Sequence, residues 1–204
     1  MKKIIIALVS IAAIYATVSF QIQNRREKAH RLIIDAFEGN LIAVKNAVEQ
    51  GIPLDFELYI QDDARQYHGV WFNALHAAAS SGNEDLILFL LEEGFDINGR
   101  TSEKEWTPLL IAIRDGNTEA AKLFVYKGAD INAQSHLGAT ALTFAVTQYF
   151  SSEKQRISLL TYLLEQGADP NLKDSFNHTP LYYAQHLGKK EIAQLLQDYG
   201  AIKE

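Results

Sequence analysis

The residues able to do covalent or metal chemistry are few and dispersed. His30, His68, His76, His136, His178 and His186 offer imidazoles that could act as general bases or ligands, but they are scattered along the chain. Asp62 and Asp63 could ligate calcium, although two adjacent carboxylates without a ligand-spaced loop usually mark a solvated tip. The absence of cysteine excludes disulfides, thiolate metal sites and a thiol nucleophile, and removes the residue that a bacterial lipoprotein needs for lipid attachment. No Gly-x-Ser-x-Gly elbow, His-Glu-x-x-His helix or Gly-Lys-Ser/Thr phosphate loop is present. No catalytic residue, cofactor site or metal site is assigned, and the chain is not read as an enzyme. What remains is non-covalent chemistry by aromatic and charged side chains, the types that dominate protein-binding hot spots.

The elements that must hold these groups repeat their own punctuation. Thr107 can cap a helix whose first turn accepts Pro108, and Leu109, Ala112 and Ile113 form one apolar stripe. Gly116 suits a left-handed helix end, Asn117 can cap a second helix, and Ala120, Ala121, Phe124 and Val125 line that helix up to Gly128. Closing glycines recur at Gly51, Gly94, Gly128, Gly167 and Gly200, spaced 43, 34, 39 and 33 residues apart. Openings recur at Asn73, Thr107, Thr140 and Thr179, while the first unit, from His30, lacks the motif, as a terminal cap would. Its Arg31, Asp35, Glu38, Lys45 and Glu49 are expected to face water. Helices this short cannot bury their stripes alone and need neighbours stacked on both sides.

This punctuation strongly resembles the ankyrin repeat, whose Thr-Pro-Leu-His opening and period of about 33 residues are an array signature. The resemblance implies an all-α solenoid of five helix-turn-helix repeats, at about 30–54, 73–98, 107–132, 140–171 and 179–204, whose work is protein binding. It also implies that His76 is a structural hydrogen-bonding group. Asp96, Asp130 and Asp169 recur in turns and are expected to stabilise backbone there.

Ahead of the array, Met1-Lys2-Lys3 precedes a mainly apolar run, 4–20, with the layout of a secretory signal. Residues 1–20 are read as a cleaved signal or an uncleaved membrane anchor, and 21–29 as a basic linker. Seventeen residues reach about 26 Å, slightly short of a hydrocarbon core of about 30 Å, so both readings stand. Either places the repeats outside the cytoplasm, in the periplasm if the source is bacterial. Residues 1–29 hold five basic and one acidic side chain, and 30–204 hold 14 and 24, a net charge of −10. The array is thus a poor partner for nucleic acid, and a protein with a basic surface is favoured. Membrane contact is expected only through the N-terminal segment.

Two departures from the period stand out. A loop about ten residues too long lies between Gly51 and Asn73 and carries Tyr67, Trp71 and Phe72, read as contact surface or as cover for the core. Thr140 to Gly167 spans 27 residues against 21 in repeats two, three and five. The six extra fall around Gln148 and Tyr149, which implies a longer first helix or a protruding connection. Ser152 to Gln155 reads as a capping box that starts the second helix late.

Partners of ankyrin arrays lie against the tips between repeats and the exposed face of the first helices. Carried over by motif position, this selects Glu103, Lys104, Trp106, Arg114, Asp115, His136, Leu137, Gln148, Phe176 and His178, beside the loop and insertion residues Tyr67, Trp71, Phe72 and Tyr149. Small exported bacterial ankyrin proteins resemble immunity proteins that neutralise secreted antibacterial effectors, so that role is expected. The alternative is an accessory protein supporting a stress enzyme such as a catalase.

Overall fold

The computed structural model describes residues 2–52, 57–62, 67–148 and 150–202, with the side chains of 2–16, 60–62 and 67–70 left aside. Among the described residues ten helices and one hairpin follow one another in chain order: α1 Lys2–Phe37, α2 Leu41–Glu49, β1 Leu58–Asp62, β2 Tyr67–Phe72, α3 Ala74–Ser81, α4 Glu84–Glu92, α5 Pro108–Arg114, α6 Thr118–Tyr126, α7 Ala141–Thr147, α8 Glu153–Glu165, α9 Pro180–His186 and α10 Lys190–Asp198. Helices α1, α3, α5, α7 and α9 each pack on the next and form one layer; their hairpin partners α2, α4, α6, α8 and α10 form the other. The core lies between the layers, with Ile33, Leu75, Leu86, Leu110, Ile111, Phe124, Leu160 and Ile192 fully buried along its length.

The opening residues do the capping expected of them. Thr107, Thr140 and Thr179 are extended residues whose hydroxyls accept the amide hydrogens of Leu110, Thr143 and Tyr182. Asn73 and His76 exchange such bonds: Asn73 Oδ1 accepts from His76 N–H at 3.0 Å, and His76 Nδ1 accepts from Asn73 N–H at 3.3 Å. The other ring nitrogen, Nε2, donates to the Gly99 carbonyl at 3.0 Å. Every polar atom of the neutral ring is used, and burial lowers its pKa to about 4.

Asparagines join the repeats. Asn117 occupies the N-cap of α6 but makes no side-chain cap bond; its amide donates instead to the Ala79 and Ser80 carbonyls of the preceding repeat, at 3.0 and 2.9 Å. Asn83 does both jobs, accepting from Leu86 N–H and donating to the Gly39 carbonyl. A second ladder runs through the turns: Asn98, Asn132 and Asn171 accept from Asp130, Asp169 and Ile202 of the next turn. Asp96, Asp130 and Asp169 each accept the amide two residues on, holding those turns as the sequence implied. Gly138 marks a close approach between two tips. With φ at +75°, a Cβ there would stand 2.8 Å from Asp174 Cα, so both strain and space demand glycine.

Several expectations change. Residues 21–29 are helix, not a linker, because nothing from residue 2 to Phe37 breaks the 36-residue α1, the first glycine being Gly39. The long loop contains an antiparallel hairpin, β1 with β2, in which Leu58 pairs with Phe72 and Tyr59 with Trp71. In repeat four the first helix is not longer: α7 has seven residues like α5, while α8 has 13 against nine in α6 and the connection takes up the rest. Ser152 caps α8 through Gln155 N–H, but Gln155 Oε1 accepts from the hydroxyls of Ser151 and Ser152, which makes half a capping box. Asp35 is buried rather than outward, held by Arg31 at 2.8 Å.

Among the described residues no helix is long and apolar enough to cross a membrane. The apolar run 4–20 lies for the most part outside the described side chains.

Candidate protein-binding site

The tips ahead of α5, α7 and α9 lie side by side and are stitched by backbone. His136 N–H donates to the Lys104 carbonyl at 3.1 Å and Ser175 N–H to the Leu137 carbonyl at 2.9 Å. This brings together residues that the sequence separates by more than thirty positions. Lys104, Trp106, Arg114, His136, Leu137 and Gln148, all selected from the sequence, line one cleft of about 320 Å³ with Ser135, Ala139 and Phe144.

Trp106 forms the cleft's aromatic wall. It is half-buried, meets Phe144 edge-on with ring centroids 6.4 Å apart, and receives the Arg114 guanidinium over its face at 4.8 Å. Arg114 is held from behind by Asp115 at 3.1 Å, and Asp115 in turn accepts the Ser80 hydroxyl at 2.6 Å. With Arg114 and Asp115 side chains only 8% and 13% exposed, this pair is shielded from water and the ring is held in one orientation. Asp115 therefore supports the cleft from below and does not line it. His136 is exposed, and its Nδ1 lies 3.2 Å from the Lys104 carbonyl, which requires the proton on Nδ1. Leu137 is 45% exposed on the same tip. The cleft thus offers apolar walls, one ordered guanidinium and polar groups at its edge. Glu103 is exposed on the Trp106 tip without lining it.

Phe176 and His178 fall elsewhere. They begin a stacked column on the last repeat: Phe176 lies over His178 at 6.5 Å, His178 over Tyr182 at 3.7 Å, and Tyr182 over His186 at 5.9 Å, the last two pairs within 5° of parallel. Phe176 is 62% exposed. Asp174 anchors the base, accepting the Tyr183 hydroxyl and the amides of Phe176 and His178. Burial, then the bond to Asp174, pushes the Tyr183 pKa up to about 12. Tyr182 was missed at the sequence level, although its spacing of four from His186 within α9 places the two on one face.

The long-loop residues divide. Trp71 is 39% exposed and packs edge-on against Tyr59 at 5.3 Å. Phe72 is not contact surface: it is fully buried between Phe37 of α1 and His76 of α3, at 5.3 and 5.8 Å, because strand alternation turns it inward where Trp71 turns out. Tyr67 contributes backbone to β2, its side chain lying outside the described residues, as does Tyr149 altogether. In the repeat-four insertion, Arg156 is buried over Phe150, donates to the Gln148 carbonyl at 2.9 Å and pairs with Glu153 at 3.2 Å. Gln148 is thereby fixed at the cleft edge.

A family model described as ankyrin repeats in three copies matches residues 32–135 and 75–174. The chain is similar to the B-cell lymphoma 3 protein homolog of Mus musculus, 32% identical over 123 residues, 60% of this chain and 26% of that protein. It is 36% identical over 171 residues to an L-asparaginase of Dirofilaria immitis, 83% of this chain and 25% of that protein. The probable 26S proteasome regulatory subunit p28 of Saccharomyces cerevisiae is 30% identical over 130 residues, 62% of this chain and 54% of that protein. The chain spans about a quarter of the first two and about half of the third.

Proposed function

Because the chain belongs to the ankyrin-repeat family, a family of protein-binding modules, we propose that the cleft between repeats three and four is its contact centre and that it serves as an immunity-type protein of the cell envelope. In this reading it holds and masks an exported antibacterial effector. The observation that carries the contact assignment is the convergence of six sequence-selected residues on one cleft with an ordered Trp106–Arg114 pair. A rigid aromatic with a neighbouring guanidinium is the composition of a binding hot spot, and holding both in place beforehand lowers the entropy lost on association. The apolar run behind Lys2 and Lys3 supports an envelope location, and the net charge of −10 over residues 30–204 favours a partner whose surrounding surface is basic.

The test is affinity capture from envelope extract with the full chain tagged at its C-terminus. Retention of an antibacterial protein in stoichiometric amount, with its activity suppressed in the complex, is the expected result. Trp106→Ala should weaken that capture about tenfold or more, equivalent to at least about 1.4 kcal/mol. Capture unaffected by Trp106→Ala together with Leu137→Ala removes the cleft as contact centre. Retention of a stress enzyme such as a catalase, with its activity intact, replaces the immunity role by the accessory one.

A further inference from the structure

We propose that the face shared by α1 and the β1–β2 hairpin is a lipid-docking surface, seated in the headgroup layer of a bilayer containing anionic phospholipid. It rests on the reading that the run 4–20 enters a membrane, and it assigns work to residues outside the protein-binding cleft.

Three kinds of residue follow one another along α1 in the order a membrane boundary requires. Val18, Phe20 and Ile22 are exposed apolar residues, at 46%, 71% and 50%. Arg25, Arg26 and Lys28 come next, all exposed. At about 1.5 Å per residue these cations stand about 5–9 Å beyond Ile22, and the headgroup layer of one leaflet is about 5–8 Å thick. The hairpin adds the third kind at the same level. Trp71 lines a cleft of about 460 Å³ with Gln23, Arg26 and His30 of α1, and Tyr59 is 49% exposed beside it.

Exposed Trp and Tyr beside basic residues at the end of an apolar helix match the chemistry of a bilayer interface, where indole and phenol keep one end apolar and the other wet. Carboxylates oppose the attraction: Glu27 and Glu57 on the same cleft, and Asp62 at the end of β1. Glu27 also accepts from Gln23 at 3.4 Å. Along α1 the three cations stand against Glu27 alone, so the attraction belongs to the helix and not to the hairpin, while residues 30–204 as a whole carry −10 and are repelled by an anionic surface. Attraction at one end and repulsion along the rest would orient the solenoid away from the membrane and leave its tips accessible.

The test reconstitutes the full chain into phosphatidylcholine vesicles with or without phosphatidylglycerol, each bearing a headgroup nitroxide lipid that quenches tryptophan. Trp71 and Trp106 are the chain's two indoles, so wild type, Trp71→Phe and Trp106→Phe separate their signals. Trp71 is exposed, and circular dichroism checks that its replacement leaves the fold intact. Expected are quenching that Trp71→Phe abolishes and Trp106→Phe retains, and a severalfold fall in quenching when phosphatidylglycerol is omitted or when Arg25, Arg26 and Lys28 are all changed to Gln. Quenching unaltered by Trp71→Phe, or equal with and without phosphatidylglycerol, overturns the proposal. Failure of the chain to float with vesicles overturns the membrane reading of 4–20 as well, whereas flotation without Trp71 quenching overturns this inference alone.

Discussion

Replacing Asn117 by aspartate separates two roles that one position could have. As an N-cap it would need only an acceptor, and aspartate would serve as well or better, since a carboxylate suits the positive end of a helix. In the structure the side chain makes no cap bond and instead spends its amide hydrogens on the Ala79 and Ser80 carbonyls, at 3.0 and 2.9 Å. The Asn117→Asp exchange would remove both donors and set a negative charge against two carbonyl oxygens in a half-buried seam. At about 0.5–1.5 kcal/mol for each lost bond, with partial desolvation of the stranded acceptors, the cost is about 2–3 kcal/mol. For a denaturant slope of about 2 kcal/mol/M, the urea midpoint should fall by about 1 M or more, read by far-ultraviolet circular dichroism. Asn83→Asp is the internal comparison, since it keeps the cap to Leu86 and loses the single donor bond to Gly39, so its midpoint should fall about half as far. A midpoint for Asn117→Asp within error of wild type would refute the idea that these amides bind one repeat to the next.

Other outcomes follow from the same geometry. Phe72→Ala should cost about 3–5 kcal/mol in urea unfolding, since the ring is fully buried, whereas Trp71→Ala, on the exposed side of the same strand, should cost less than about 1 kcal/mol. The His76 pKa is lowered to about 4, chiefly by burial and against the raising effects of the Gly99 bond and Asp96. The unfolded chain therefore binds the extra proton first, so this contribution is complete above about pH 6.5 and is lost as pH falls from there towards 4, amounting to about 2 kcal/mol by pH 5. Unfolding curves at neutral pH and at pH 5 should show a smaller difference for His76→Gln than for wild type. Gly138→Ala should lower stability by about 2 kcal/mol or more in thermal unfolding, because φ is +75° and Asp174 Cα blocks the added methyl.

The repeats could be read before any coordinates because their signals are local. A threonine at a helix start, a glycine at most helix ends and an apolar stripe at helical spacing act within one or two turns, and Thr107, Thr140 and Thr179 cap as their positions imply. The hairpin is legible too, in the β-branched and aromatic residues of Leu58–Asp62 and Tyr67–Phe72, but those aromatics read first as the contacts or core cover of a long loop, without strand pairing. Phe72 stays open between contact surface and core cover for a related reason. An aromatic in an unassigned loop has no face, and it acquires one only when strand alternation is recognised. Position in the motif was a better guide at the cleft, since the fold lines up equivalent tips wherever the repeat is regular.

The order of residues by itself determines that short capped helices will form and that each pair exposes an apolar stripe it cannot bury alone, because capping, propensity and periodicity operate over neighbouring positions. It also determines the charge imbalance between the N-terminal segment and the array. Tertiary packing decides which residues become one surface. Trp106, Arg114, His136 and Gln148 meet only because the tips ahead of α5 and α7 are bonded together, while Phe176 and His178 join Tyr182 and His186 in a separate column. It likewise turns Asn117 from a helix cap into a tie between repeats, since the neighbouring carbonyls that claim its amide are brought within reach only by stacking.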